Sequence, residues 1–345
     1  MCYDTPEPTF YDDTNFSCSI ENSMKDWVAK RREWLKRHPT FAATASDRIF
    51  LVTGSQPQAC KNPVVDHVLL RLFKNKVDYC RIHGYEIFYN NVLLHPKMKG
   101  FWAKYPIVEA AMLARPEAEW IWWVDSDAVF TEMEFKLPLE KYKDYNLVVN
   151  GWSSLVYKKR SWTSVNAGVF LIRNCQWSMD FMNAWIRMGL QTPNYEMWGK
   201  IQRSIFKYKM FPEADDQAGL IHLLLKEKEK WGGKIYLEEE YWLDVVDAYE
   251  NITQKYLKIQ KEVPSLRRRH AEKSSFKRRP LITQFTGCEP CSGDHSPAYS
   301  WEACFNGMRR ALNLADNQVL LNYGFLHQNH LDSSSVSALL IDLPS

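Results

Sequence analysis

The run Trp120-Ile121-Trp122-Trp123-Val124 is unbroken apolar sequence and ends on Asp125-Ser126-Asp127. Such a run, without polar alternation, reads as a strand covered on both faces, which points to an α/β fold with helices on the two sides of a central sheet. Carboxylates at the end of a buried strand are costly unless a cation neutralises them. Two Asp separated by one residue leave an extended strand end on the same side, so both can reach a hard divalent ion that keeps positions open for phosphate oxygens. Transfer of a sugar from a nucleotide diphosphate needs this chemistry, because the leaving diphosphate develops charge that must be stabilised.

Other strand-helix units surround this one. Arg48 to Thr53 reads as the first core strand and runs into the turn Gly54-Ser55-Gln56-Pro57, at the kind of strand end where open α/β sheets receive nucleotides. Val65 to His83 has apolar residues at helical spacing, Glu86 to Asn90 is a second strand, and Trp102 to Ala114 is a second helix. Three such units in alternation argue for parallel pairing with right-handed crossovers. Lys104 opens the second helix, where a phosphate would be welcome, although position alone reads as a solvated surface lysine. Aspartyl phosphatases of the haloacid dehalogenase type also carry Asp-x-Asp-x-Val after an apolar strand, with Asp215-Asp216 as a conceivable distal pair. Their nucleophile strand comes early in the chain, however, and here two strand-helix units precede it.

Further on, Leu147 to Trp152 is a strand and turn. Val165 to Asn174 is a buried strand entered through Asn166 and Gly168, suggesting backbone held close to a ligand. Gln176 to Met188 is a helix with an aromatic face. Asp215-Asp216-Gln217 precede an apolar helix, Ala218 to Leu225; one acid serves as a cap, and the second acid and the Gln exceed what a cap requires. Residues 244–279 read as helical and basic, Leu281 to Cys288 as a last strand and turn, and Met308 to Leu314 as a short closing helix. Residues 1–45 form a loose lead-in and one outer helix around Trp27 to Leu35, and residues 46–345 a single domain.

With 345 residues, 46% hydrophobic and 25% charged, the chain can bury a large core. A net charge of +3 is too mild for a nucleic-acid partner. Its 48 aromatic residues (14 Trp, 17 Tyr, 17 Phe) include enough to stack on sugar faces, but core packing accounts for most of them. Cys288-x-x-Cys291 leaves zinc, a redox pair and disulfides to Cys304 or Cys60 all open, though no second pair stands at zinc-ribbon spacing. The sequons at Asn15 and Asn251 agree with glycosylation in a secretory lumen. No apolar run approaches the about 20 residues that span a bilayer, and the N-terminus has no signal-peptide core.

Taken together, Leu51-Val52-Thr53-Gly54-Ser55, Lys74 to Arg81, Trp122 to Asp127, Asn166-Ala167-Gly168, Asp215-Asp216-Gln217 and Ala315-Asp316-Asn317-Gln318 resemble plant glycosyltransferase family 34. The resemblance runs from Tyr11-Asp12-Asp13 to the tail, and Leu266 to Lys273 favours the galactomannan branch over the xyloglucan one. It implies a GT-A fold with a mixed, mostly parallel sheet and a Mn²⁺-dependent, retaining transfer from a UDP-sugar, UDP-galactose first, to a β-1,4-linked mannan or glucan. It also implies a type II membrane protein of the Golgi lumen, in homo- or hetero-oligomers with related transferases. On this resemblance Asp125, Asp127 and Gln284 hold the metal. Thr53, Gly54, Ser55, Lys104, Ser126, Asn166, Gly168, Gly287 and Glu289 line the nucleotide-sugar, and Asp215, Asp216 and Gln217 attend the reaction centre.

The chain departs from the family pattern at three places. Gln284 stands where relatives have a metal-binding His, and an amide carbonyl is the weaker ligand. Glu289 replaces Lys or Gln, and an acid repels a diphosphate unless turned away. Only Tyr241-Trp242 remains of a longer aromatic loop. These departures raise a second expectation, of a catalytically weakened homologue that binds an active transferase.

Overall fold

The computed structural model describes residues 9, 24–42, 48–61, 66–206, 209, 211–240, 280–292, 295, 300–328 and 333–338. Asn15, Asn251, the basic stretch 244–279, Tyr241-Trp242 and Tyr11-Asp12-Asp13 lie outside the described residues. In chain order the elements are α1 (Trp27–Arg37), α2 (Pro39–Ala42), β1 (Ile49–Gly54), α3 (Asp66–His83), β2 (Glu86–Asn90), α4 (Lys104–Ala114), β3 (Trp120–Val124), β4 (Ala128–Phe130), β5 (Leu147–Gly151) and β6 (Val165–Arg173). Then come α5 (Gln176–Ile186), α6 (Tyr195–Ile205), α7 (Asp216–Lys226), α8 (Lys228–Trp231), β7 (Ile235–Glu238), β8 (Ile282–Gln284), α9 (Trp301–Leu320), β9 (Phe325–His327) and β10 (Val336–Ala338).

Two compact units contain these elements: residues 1–57, 85–124 and 137–239 in one, and residues 58–84, 125–136 and 240–345 in the other. The first holds a six-stranded sheet in the order β2-β1-β3-β6-β5-β7. β1 pairs in parallel with β2 and β3, and β5 with β7, whereas β6 runs antiparallel to both β3 and β5. The expected α/β architecture with a mixed, mostly parallel sheet is therefore the one adopted. Its central strands are apolar because both faces are covered: every residue of β3 and β5 is buried, as is β6 up to Ile172. β2, at the edge, alternates exposed and half-buried residues. Trp102, Tyr105, Phe170, Phe181 and Trp185 pack into this unit's core, so the aromatic face of α5 is core as expected. On α1, fully buried Trp27 donates its indole N–H to Asn174 Oδ1 at 2.7 Å, and Arg31 donates to the carbonyls of Pro116, Ala118 and Asn174.

The second unit holds α3, α9, the two-stranded pairs β4-β8 and β9-β10, and the disulfides Cys60–Cys291 and Cys288–Cys304. Each cysteine of the Cys288-x-x-Cys291 motif thus bonds outside the motif, which removes the zinc and redox readings. α9 runs for 20 residues rather than the short helix expected around Met308 to Leu314. Ser300 caps it by accepting from Ala303 N–H at 3.1 Å, and Cys304, Met308, Ala311, Leu312 and Ala315 bury one face. Polar residues between those positions hid the repeat. α6 and β7 are two further elements that the sequence pattern does not announce.

Candidate active site

The strand expected to carry the acidic pair ends at Val124, and Asp125-Ser126-Asp127 form a turn closed by Ala128 N–H on Asp125 O at 3.2 Å. The carboxylates converge because the chain turns, not because they alternate on an extended strand. β8 lies antiparallel to β4 with Gln284 opposite Ala128, which brings the Gln284 amide to the turn. Its Nε2 donates to Asp125 Oδ2 at 3.1 Å and to Asp127 Oδ1 at 3.2 Å, while its Oε1 is buried without a hydrogen-bond partner. One amide group therefore stands where a cation would, and the orphaned oxygen is the atom it would offer if the amide turned over. Two carboxylates and an amide carbonyl are hard oxygen donors of the kind that suit Mg²⁺, Ca²⁺ or Mn²⁺. No group of three or more His, Cys, Asp or Glu that could hold a metal occurs among the described residues; at this turn the Gln284 amide is the side chain that meets both carboxylates.

Sequence reasoning did not find Lys76. It is 1% exposed on α3, and its Nζ donates to the carbonyls of Ala128 at 2.7 Å, Ser126 at 3.1 Å and Leu72 at 3.4 Å. Burial lowers its pKa to about 8, against the pull of Asp127 and Asp125, which favour its charge. A Lys-x-Lys pair on a helix carries no sign of this, since the partner carbonyls come from a distant stretch of chain. Within the same unit, Gly287 has φ +80° in the turn closed by Cys288 N–H on Phe285 O at 2.9 Å. Glu289 is exposed and accepts from the Ser292 hydroxyl at 2.9 Å. The two disulfides pin this loop at Cys288 and Cys291.

A second cluster lies in the sheet unit. Of the two acids Asp215 is the cap, its Oδ1 accepting from Ala218 N–H at 2.7 Å, on a helix that begins at Asp216 rather than at Ala218. Lys104, expected on position alone to be solvated, is instead 4% exposed, with Nζ 2.8 Å from Asp216 Oδ2 and donating to Ala167 O at 2.9 Å. Asp216 also takes the Tyr105 hydroxyl at 3.3 Å and the Gln217 N–H at 2.8 Å. Lys209, another residue the sequence did not reveal, pairs with Asp215 at 2.9 Å. Burial raises the Asp215 pKa, with Asp216 adding to the rise and the Ala218 N–H and Lys209 opposing it. Gln217 donates to Trp162 O at 3.0 Å, and the Trp162 indole donates to Asp215 at 3.4 Å. Two acids and two lysines are thus buried as ion pairs at the start of one helix, with Gln217 half-exposed beside them.

The remaining residues of the expected site hold their own backbone together. Asn166 Oδ1 accepts from Gly168 N–H at 2.7 Å. Gly54 is required by strand packing: a Cβ there would lie 2.3 Å from Asn90 O. Ser55 Oγ accepts from the Tyr89 hydroxyl at 2.8 Å, whereas Thr53 Oγ1 is buried and unpartnered. Ser126 is half-exposed and contributes its carbonyl to Lys76.

Comparison with known proteins puts the chain among the glycosyltransferases that draw on a nucleotide-sugar donor. Residues 45–295 match the model of the galactosyl transferase GMA12/MNN10 family, and the chain belongs to that family. It is 56% identical to Galactomannan galactosyltransferase 1 of Cyamopsis tetragonoloba, over 99% of this chain and 83% of that protein. It is 46% identical to Xyloglucan 6-xylosyltransferase 1 of Arabidopsis thaliana, over 92% of this chain and 67% of the relative. Among solved structures it is similar, at TM-score 0.45 and 14% identity over 76% of this chain and 98% of the other, to a glycosyltransferase involved in glycosylation of the major capsid of PBCV-1. Family membership decides against the phosphatase alternative.

Proposed function

We propose that this glycosyltransferase moves galactose from UDP-galactose, with retention of configuration, onto a β-1,4-mannan backbone as an α-linked side chain. Support comes from the 56% identity to Galactomannan galactosyltransferase 1. The observation that carries the chemistry is the convergence of Asp125 and Asp127 on the single amide of Gln284. Asp125, Asp127 and Gln284 Oε1 are the residues that would hold Mn²⁺, and the ion would supply neutralisation of the diphosphate charge. Lys76 holds the carbonyls of the acidic turn. Lys104 acts by fixing the Asp216 carboxylate, and Asp216 or Gln217 then steadies the oxocarbenium-like centre while the departing diphosphate assists the acceptor hydroxyl on the same face. Thr53, Gly54, Ser55, Ser126, Asn166, Gly168, Gly287 and Glu289 remain the proposed contacts to the nucleotide-sugar, with Glu289 exposed and accepting from the Ser292 hydroxyl.

Residues 46–345 are taken as one catalytic domain behind the lead-in and outer helix of residues 1–45. A Golgi lumen is the proposed setting, with a type II anchor and association with related transferases, and two disulfides suit such an oxidising compartment. No helix among the described residues is long and apolar enough to cross a membrane. Xylosyl transfer from UDP-xylose to a glucan is the second reading, on the 46% identity to the xylosyltransferase. UDP release measured with UDP-galactose or UDP-xylose, on mannohexaose or cellohexaose with Mn²⁺, separates the two. Turnover confined to UDP-galactose and mannohexaose is expected, and preference for UDP-xylose with cellohexaose would overturn the galactosyl assignment. The Gln284 bonds to both carboxylates also favour a weakened, partner-binding homologue, and absence of turnover with every pair would select it.

A further inference from the structure

Among the described residues β4 pairs with a strand on one side only, and side chains stand where a second neighbour would. Toward β8, Phe285 N–H donates to Asp127 O at 3.3 Å and Thr131 N–H to Leu281 O at 2.9 Å. Alternate residues turn their peptide groups the other way, toward α3. There Asn75 makes both bonds that a strand would make to Phe130, donating from Nδ2 to its carbonyl at 3.0 Å and accepting its N–H on Oδ1 at 2.8 Å. Lys76, the next residue, covers the carbonyls of Ala128 and Ser126 at 2.7 and 3.1 Å. Gln318 of α9 repeats the amide pattern beyond the strand, accepting from Met133 N–H and donating to Thr131 O, both at 3.0 Å.

An amide side chain presents the same donor and acceptor as a peptide group, which explains Asn75 and Gln318 as substitutes for a strand. Lys76 differs. It faces carbonyls alone, and a neutral donor would satisfy them without the cost of burying a charge. The charge lies behind the backbone of the turn whose two carboxylates share one amide, where their mutual repulsion is greatest before any cation arrives.

We propose that Asn75 and Lys76 are positioning residues of the donor site: they fix the backbone from which Asp125 and Asp127 project, and the Lys76 charge holds the two carboxylates together. This rests on the proposed metal-diphosphate role of Asp125 and Asp127. Gln318 makes bonds of the same kind to residues beyond the acidic turn and serves as the control for stability alone.

The test is UDP titrated calorimetrically into the full chain with Mn²⁺, comparing wild type with Asn75→Ala, Lys76→Met and Gln318→Ala, each scaled to its folded fraction by circular dichroism. Lys76→Met and Asn75→Ala are expected to weaken Mn²⁺-dependent UDP binding at least tenfold, and Gln318→Ala to leave it within twofold while lowering the Tm. Equal losses in all three variants, or wild-type affinity in Lys76→Met, would overturn this inference while leaving the transferase reading intact. No Mn²⁺-dependent binding by wild type would overturn both. Should Lys76→Met not fold, Lys76→Gln, which keeps a donor and drops the charge, carries the same comparison.

Discussion

Replacing Lys104 by Met keeps the length of the side chain and removes its charge, leaving the 5%-exposed Asp216 without its cation. Breaking one side of a buried ion pair costs about 3–5 kcal/mol, because the remaining charge is stranded in a poorly solvated site. Asp216 would retain the Tyr105 hydroxyl and the Gln217 N–H, which sets the expected loss at the lower end, about 3 kcal/mol. Ala167 O would lose the Lys104 donor, so relief by rearrangement is limited. Asp216→Leu strands the Lys104 charge in turn and is expected to cost about 3 kcal/mol as well. The double variant Lys104→Met with Asp216→Leu strands no charge and is expected to lose about 3 kcal/mol or less rather than the sum of the two single losses, giving a coupling of at least about 2 kcal/mol. The assay is urea unfolding followed by tryptophan fluorescence, with changes read from the midpoint at constant slope. Because the pair is buried, the coupling should persist in 0.5 M salt, roughly three times physiological ionic strength. A coupling below about 0.5 kcal/mol, or one that salt abolishes, would refute the buried-pair reasoning.

Two further outcomes follow from the second unit. Gln284→His replaces an amide that must first release two carboxylates by an imidazole that ligates directly, so Mn²⁺ affinity should rise roughly tenfold in calorimetry; a robust wild-type turnover unchanged by this substitution would end the weakened-homologue reading. Asp316 is opposed by burial but held down to a pKa of about 2 by His327, Lys74 and Arg71, below the ordinary 3.8. A lowered folded-state pKa gives stability that is present above the unfolded value and lost as pH falls through the folded one. At about 1.4 kcal/mol per pH unit, Asp316→Asn should therefore cost about 2 kcal/mol at pH 7, with the gap to wild type closing between pH 4 and pH 2 in urea melts; a gap independent of pH would contradict the assignment.

Local signals led to the elements whose causes are local. The all-apolar β3, the helical spacing of α3, the helix ending before Pro116 and an acidic cap at the start of α7 each depend on neighbours a few residues away, and each appears in the structure. What the sequence concealed depends on partners far along the chain. Lys104 looks like a surface residue until Asp216 is brought to 2.8 Å, and Lys76 looks like a solvated helix face until the carbonyls of Ser126 and Ala128 arrive. The acidic pair was found for a reason only partly right, since a turn rather than strand alternation aligns the carboxylates. Cys288 and Cys291 could not be assigned by spacing because their partners, Cys304 and Cys60, are set by tertiary packing.

Titration of UDP into the chain with and without Mn²⁺, repeated on Asp125→Ala and Asp127→Ala, tests the metal-diphosphate site directly. Binding that requires Mn²⁺ in wild type and is lost in both variants is the predicted result. Wild-type UDP binding indifferent to Mn²⁺, or retained when either carboxylate is removed, would contradict it.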